Sequence, residues 1–163
     1  MSEQQNLYHD AFSRAVSDVM ITMTGFEMEE DLAYKGEGCS AGDGKAQSCE
    51  ITGAMFLLGK NSGMASVTMT RETAGMLVSY MTGIPCHELE DDDLHDGIAE
   101  LMNLFAGRAK VILRQTDYYF EITPPFTIAG KDHHIVHKKK AHLIQKRFIG
   151  NDLSFILRVF NIK

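Results

Sequence analysis

Residues 91–114, DDDLHDGIAELMNLFAGRAKVILR, constrain the fold more than any other stretch, because their apolar members recur with one period only. At about 100° per residue, Leu94, Ile98, Leu101, Phe105, Ala109 and Ile112 share one sector and form the stripe of a helix that must lie on a core. The opposite sector holds Asp96, Glu100, Asn103, Gly107, Lys110 and Arg114. The Glu100 carboxylate and the Asn103 carboxamide therefore stand one turn apart on a single exposed ridge. Gly107 leaves that ridge bare, at a cost of about 1 kcal/mol relative to alanine, which points to close approach by another backbone. Leu104 and Val111 border the polar strip, and apolar residues in that position suit a surface that docks onto a partner.

The segments around this helix carry other periods. Residues 8–24 repeat Phe12, Val16, Val19, Met20 and Met23 at helical spacing up to Gly25, which suits a left-handed cap. Residues 27–45 mix acids with glycines and read as an exposed loop, with at most a short strand near 32–34. Residues 47–58 and 64–70 are rich in β-formers and flank GKNSG, the pattern of an antiparallel hairpin. Thr70 is placed to cap a helix over 71–82 that Gly83 and Pro85 stop, and carboxylates in 87–93 suit the start of the next helix. YYFEIT, 118–123, alternates as a strand until Pro124 and Pro125, and the chain from His133 to Ile162 is strand-like with a reversal at 150–152. This order predicts an α+β, two-layer domain with helices packed on one face of a largely antiparallel sheet. Aligning Gly25 with Gly107 also suggests a weak internal repeat, with Asp18 opposite Glu100 and Ile21 opposite Asn103.

A chain of 163 residues suits one domain, 1–163, and a formal net charge of −6 argues against a nucleic-acid backbone or an anionic membrane as the main partner. No apolar run reaches the roughly 18 residues of a membrane span, and the start MSEQQNLYHD lacks a secretion pattern, so a cytoplasmic location is expected. Three cysteines without a C-x-x-C pair fit reduced thiols, with neither a zinc site nor a disulfide framework.

Other constellations carry less. Read as a strand, His133 and His137 share one face while His134 points to the other, so no metal cluster is expected. The run HKKK, 137–140, reads as a solvated strand edge. Cys86 beside His87 lacks the geometry of an activated nucleophile, and Gly36, Gly38, Gly42 and Gly44 do not open onto a helix as a phosphate loop would.

The residues that set this chain apart are D-x-x-x-E-x-x-N at Asp96, Glu100 and Asn103, the tail L-F-A-G-R-A-K, and P-P-F-T-I-A-G-K downstream. In this combination the chain resembles the CheC/CheX/FliY chemotaxis phosphatases, and most closely the CheX branch, with Pro125 one residue nearer the asparagine than in the family pattern. The resemblance implies a CheC-like fold and a cytoplasmic hydrolase that removes the aspartyl phosphate of a CheY-like response regulator in two-component signalling. It implies Glu100 and Asn103 as catalytic residues, with Asp96, Leu104, Gly107, Lys110 and Val111 meeting the partner. It further implies a homodimer joined through sheet edges and no cofactor or metal of its own, the Mg²⁺ sitting on the regulator. The chemistry suits an amide, since phosphoryl transfer to water needs an aligned water more than a strong base. The rival reading is a binding module that docks on a regulator or flagellar switch component through the same helix and hydrolyses nothing.

Overall fold

The computed structural model describes residues 3–35, 49–136 and 143–161, and in it the α+β expectation holds: three long helices lie on one face of an antiparallel sheet. The chain runs α1 (Glu3–Thr24), β1 (Glu29–Glu30), β2 (Ile51–Gly59), β3 (Gly63–Met69), α2 (Arg71–Thr82), a 3-10 turn (Cys86–Glu88) and α3 (Asp91–Ile112). It ends with β4 (Phe120–Ile122), β5 (Phe126–Ala129), β6 (Leu143–Gly150) and β7 (Leu153–Asn161). The strands lie in the order β1-β6-β7-β3-β2-β4, with β5 on the same flank of β2 as β4.

The local signals act as their chemistry requires. The Thr70 hydroxyl accepts from the Thr73 N–H at 3.1 Å to start α2, and Gly83 ends it at φ 75°. At the head of α3 the Glu90 N–H donates to Asp93 Oδ2 at 2.8 Å, so one of the clustered carboxylates serves as a cap. The α3 stripe enters the core as expected, with Leu94, Ile98, Leu101, Phe105 and Ala109 buried and Ile112 half-buried.

Two halves are visible in the topology. Each has a long helix, a short strand and a hairpin: α1, β1 and β2–β3, then α3, β4 and β6–β7. Each half lends its short strand to the other, since β1 pairs with β6 and β4 with β2, while β3 and β7 join the halves at the centre. The internal repeat thus exists as architecture, although little of it survives in residue identity.

Several local expectations are corrected. The short strand expected near 32–34 forms instead at Glu29–Glu30, because ion pairs rather than β-propensity fix it. Lys146, buried on β6, donates to Glu30 Oε2 at 2.8 Å and to Ser13 Oγ at 2.7 Å. The Arg147 Nε donates to Asp31 Oδ2 at 2.9 Å and holds that carboxyl below its usual pKa, while Leu32 stands exposed. The segment from His133 to Val136 is coil, so the strand-based placement of its histidines fails. His133 Nδ1 lies 2.9 Å from the Gly130 carbonyl, which can only accept, so Nδ1 donates and Nε2 accepts from the Thr52 hydroxyl at 2.6 Å. That ring is a packed one, anchoring the coil to the face of the sheet away from the helices. The readings for His137, HKKK and the glycines at 36, 38, 42 and 44 lie outside the described residues. Cys86 is free and exposed, but Cys49 is disulfide-bonded, which corrects the expectation of reduced thiols; an odd count leaves one thiol over.

Glycine decides how closely α3 sits. A Cβ on Gly53 of β2 would stand 2.5 Å from the Ile98 carbonyl oxygen, and one on Gly97 would stand 2.5 Å from Val78 Cγ2. Among the described residues, a Cβ on Gly107 would meet nothing within 4 Å beyond its own helix backbone. Gly53→Ala should therefore cost about 1–3 kcal/mol in urea denaturation, whereas Gly107→Ala should leave stability unchanged or raise it by up to about 1 kcal/mol. A Gly53→Ala variant as stable as the parent would refute the close seating.

Candidate functional site

α3 presents its ridge from a helix fixed at both ends. At the N-terminal end Arg71 pairs with Asp91, and the Thr127 hydroxyl donates to the His95 carbonyl at 2.7 Å. Toward the C-terminal end Arg108 reaches Asp18 of α1, with Nε to Oδ2 at 2.7 Å, and Lys110 pairs with Glu121 of β4. These surface ion pairs contribute little to global stability, but they hold the angle of the rod on its bed.

On this rod Glu100 is exposed and Asn103 half-buried. The Asn103 Nδ2 donates to Glu100 Oε2 at 3.3 Å, longer than an ordinary N–H···O bond. Both groups thus start in register and separate at small cost. Among the described residues, Asn103 Oδ1 makes no hydrogen bond, so the amide keeps an acceptor and a donor to orient a water. Asp96 is exposed one turn ahead of Glu100, and Gly107 leaves the ridge open one turn behind Asn103. Among the described residues, no packed neighbour comes within 4 Å of a Cβ built at Gly107, so no contact there calls for the glycine.

The other ridge residues divide. Val111 is 58 % exposed, whereas Leu104 is half-buried and lines a groove between α1 and α3. Lys110 turns away to β4, where it meets Glu121 and lies 5.5 Å from the centre of the Tyr119 ring. The Tyr119 hydroxyl also donates to Glu121. The hydrogen bond to Glu121 raises the Lys110 pKa, and the same bond from Lys110 lowers that of Glu121. Lys110 is thus a cation already engaged inside the chain, and its approach to a partner would need that pair to open.

Sequence reasoning missed the groove and the Asp18–Arg108 pair. Their members lie 90 positions apart, and no short-range period connects them. One signal was present: Ile21 is an apolar residue outside the buried stripe of α1, and it is 46 % exposed. Among the described residues no group of three His, Cys, Asp or Glu side chains could hold a metal ion, and no helix is long and apolar enough to cross a membrane.

Comparison with known proteins bears on the family and the fold. The sequence profile of the family described as chemotaxis phosphatase CheX matches residues 51–148, a span that contains all of α3. A search of curated proteins returns no match. Among solved structures, a CheC-like superfamily protein from Shewanella sp. PV-4 is 20% identical, covers 100% of both chains and gives a TM-score of 0.80. The chemotaxis protein CheX from Vibrio vulnificus is 20% identical over 95% of this chain and 96% of its own, with a TM-score of 0.77. A complex of CheX with CheY, BeF3 and magnesium from Borrelia burgdorferi aligns at 21% identity over 96% of this chain and 98% of that one, TM-score 0.75.

The Lys110–Glu121 tie has a pH signature. Because the folded pKa of Glu121 is depressed, its contribution is present above the unfolded carboxylate value, about 4.3, and is lost as pH falls through the lower folded value. Acid titration followed by circular dichroism should show a smaller loss of stability in Glu121→Gln than in the parent across that window; identical curves would contradict the tie.

Proposed function

The chain belongs to the chemotaxis phosphatase CheX family, and from that premise we propose that it accelerates hydrolysis of the aspartyl phosphate on a CheY-like response regulator. The observation that carries the reading is the Glu100–Asn103 pair, facing outward from a helix braced on both sides. α3 enters the regulator's phosphorylation pocket as a rod. Asn103 holds the attacking water in line with the phosphorus–oxygen bond, and Glu100 pairs with the lysine beside the phosphoaspartate, which fixes how deep and at what angle the helix sits.

An amide is adequate for this step. In a loose transition state the water needs position before it needs deprotonation, and the developing negative charge falls on the phosphoryl oxygens. Those oxygens would be met by the regulator's own lysine and by Mg²⁺ held on the regulator, leaving this chain to supply the amide and the carboxylate. The weak Asn103–Glu100 bond suits exchange, since each group surrenders one long contact for a shorter one in the complex. Gly107 and Asp96 complete the footprint, the first by letting a backbone approach and the second by adding a carboxylate to the ridge.

With purified phosphorylated regulator, Asn103→Ala should lower the accelerated rate on the order of a hundredfold while sparing most binding. Glu100→Ala should weaken both binding and turnover. Normal phosphate release in both variants would end the proposal, and complex formation with unchanged phosphate lifetime in the parent would favour a binding module.

Assembly as a homodimer belongs to the same proposal. β5 pairs only with β2 among the described strands, and Phe126 and Ile128 are exposed on it, a flank suited to meeting a second copy. Light scattering should give the mass of two chains; a monomer at micromolar concentration would refute it.

A further inference from the structure

A groove of about 500 Å³ runs between the C-terminal half of α1 and α3. Val19, Ile21 and Met23 line one side and Leu104 the other, with the Asp18–Arg108 ion pair bridging the two helices. Ile21 is exposed and Met23 and Leu104 are half-buried, while the polar side chains of the lining are engaged within the chain: Arg108 Nη2 stands 2.7 Å from Asp18 Oδ2, and the Thr22 hydroxyl donates to the Asp18 carbonyl at 2.8 Å. The ion pair ties the two helices at a set spacing, and Ile21 beside it stays 46 % exposed.

The position of the groove identifies what covers it. Leu104 follows Asn103 directly and lies about 40° further around the helix than Glu100, so the groove opens on the Glu100 flank of the ridge. Any protein that brings an aspartyl phosphate to Asn103 must then place the rim of its phosphorylation pocket beside Leu104, the next residue along the helix, and so at the mouth of the groove that Leu104 shares with Ile21. Charge selects the same orientation. Asp92, Asp96 and Glu100 stand one turn apart on the ridge, exposed and, among the described residues, without an ion pair, and like charges at this spacing disfavour the helix. A partner with cationic side chains along that column and an apolar one beyond it matches the surface at both ends.

We propose that the α1–α3 groove receives an apolar side chain from the rim of the phosphorylated regulator's pocket, so that recognition is bipartite: carboxylates read the cations and the groove reads the apolar contact. The inference rests on the function proposed above, and it assigns to α1 a role that the sequence motif on α3 does not include. Asp18 and Ile21, which the internal repeat sets opposite Glu100 and Asn103, thereby serve as groove wall instead of chemistry.

The test uses a CheY-like regulator locked in its phosphorylated form with beryllium fluoride and Mg²⁺, titrated by calorimetry, beside phosphate-release kinetics on the phosphorylated protein. Ile21→Asp replaces an exposed side chain, so folding is retained, and Leu32→Asp, 89 % exposed and outside the groove, is the control. Ile21→Asp should weaken binding about tenfold, or about 1.4 kcal/mol, and raise KM equally with kcat within about twofold, while Leu32→Asp changes neither. Binding by Ile21→Asp equal to that of the parent overturns the groove even where Asn103→Ala still lowers turnover as expected. Weakened binding with no catalysis in the parent keeps the groove and removes the phosphatase reading. Absence of any binding by the parent overturns both.

Discussion

The seat of α3 on the sheet is the constraint from which the rest follows. Gly53 allows the backbone of β2 to meet the Ile98 carbonyl, and Gly97 allows α3 to meet Val78 of α2, so the helix touches its neighbours through main chain where side chains would hold it off. Ile98, Leu101, Met102 and Phe105 then join Ile51, Met55 and Leu57 in one buried apolar cluster, and side chains packed at core density resist rolling of the rod. A helix seated this way transmits position: the burial of its inner face sets the bearing of its outer one.

Charged pairs complete what packing begins, and they do different work according to depth. The exposed pairs around α3 fix its ends, whereas Lys146 is buried between α1, β1 and β6 and meets both Glu30 and Ser13. A buried cation without partners would be costly, so this pair selects where β1 docks more than it adds net stability. On the opposite face of the sheet a hydrogen-bond chain does similar work. Arg158 donates to Thr68 at 3.2 Å, Thr68 and Thr52 stand 2.8 Å apart, and Thr52 ends on His133. Polar groups thus specify register and coil placement in places where apolar burial alone would accept several arrangements.

The proposed chemistry suits this economy. A surface that must enter another protein's cleft cannot bury its reactive groups, so it depends on a rigid scaffold beneath a short, exposed amide and carboxylate. Two similar helix-plus-hairpin halves make that scaffold, and only one of them carries the pair. The other half contributes support and a groove wall, a division that follows from Arg108 reaching over to Asp18.

The sequence by itself determined the elements and the face of α3. Local signals are short-ranged: Thr70 and Gly83 bound α2, GKNSG turns the hairpin, and a 3.6-residue period orients Glu100 and Asn103 outward whatever α3 rests upon. The tertiary structure alone decided the rest. Glu29–Glu30 is a strand because Lys146 and Arg147 draw it to β6, residues 133–136 are coil because His133 is held by Thr52 and Gly130, and Lys110 turns inward because Glu121 waits on β4. Each of these outcomes depends on charges or hydrogen-bonding groups far apart in sequence, whose meeting no local period encodes; only the closing of the sheet brings them within reach.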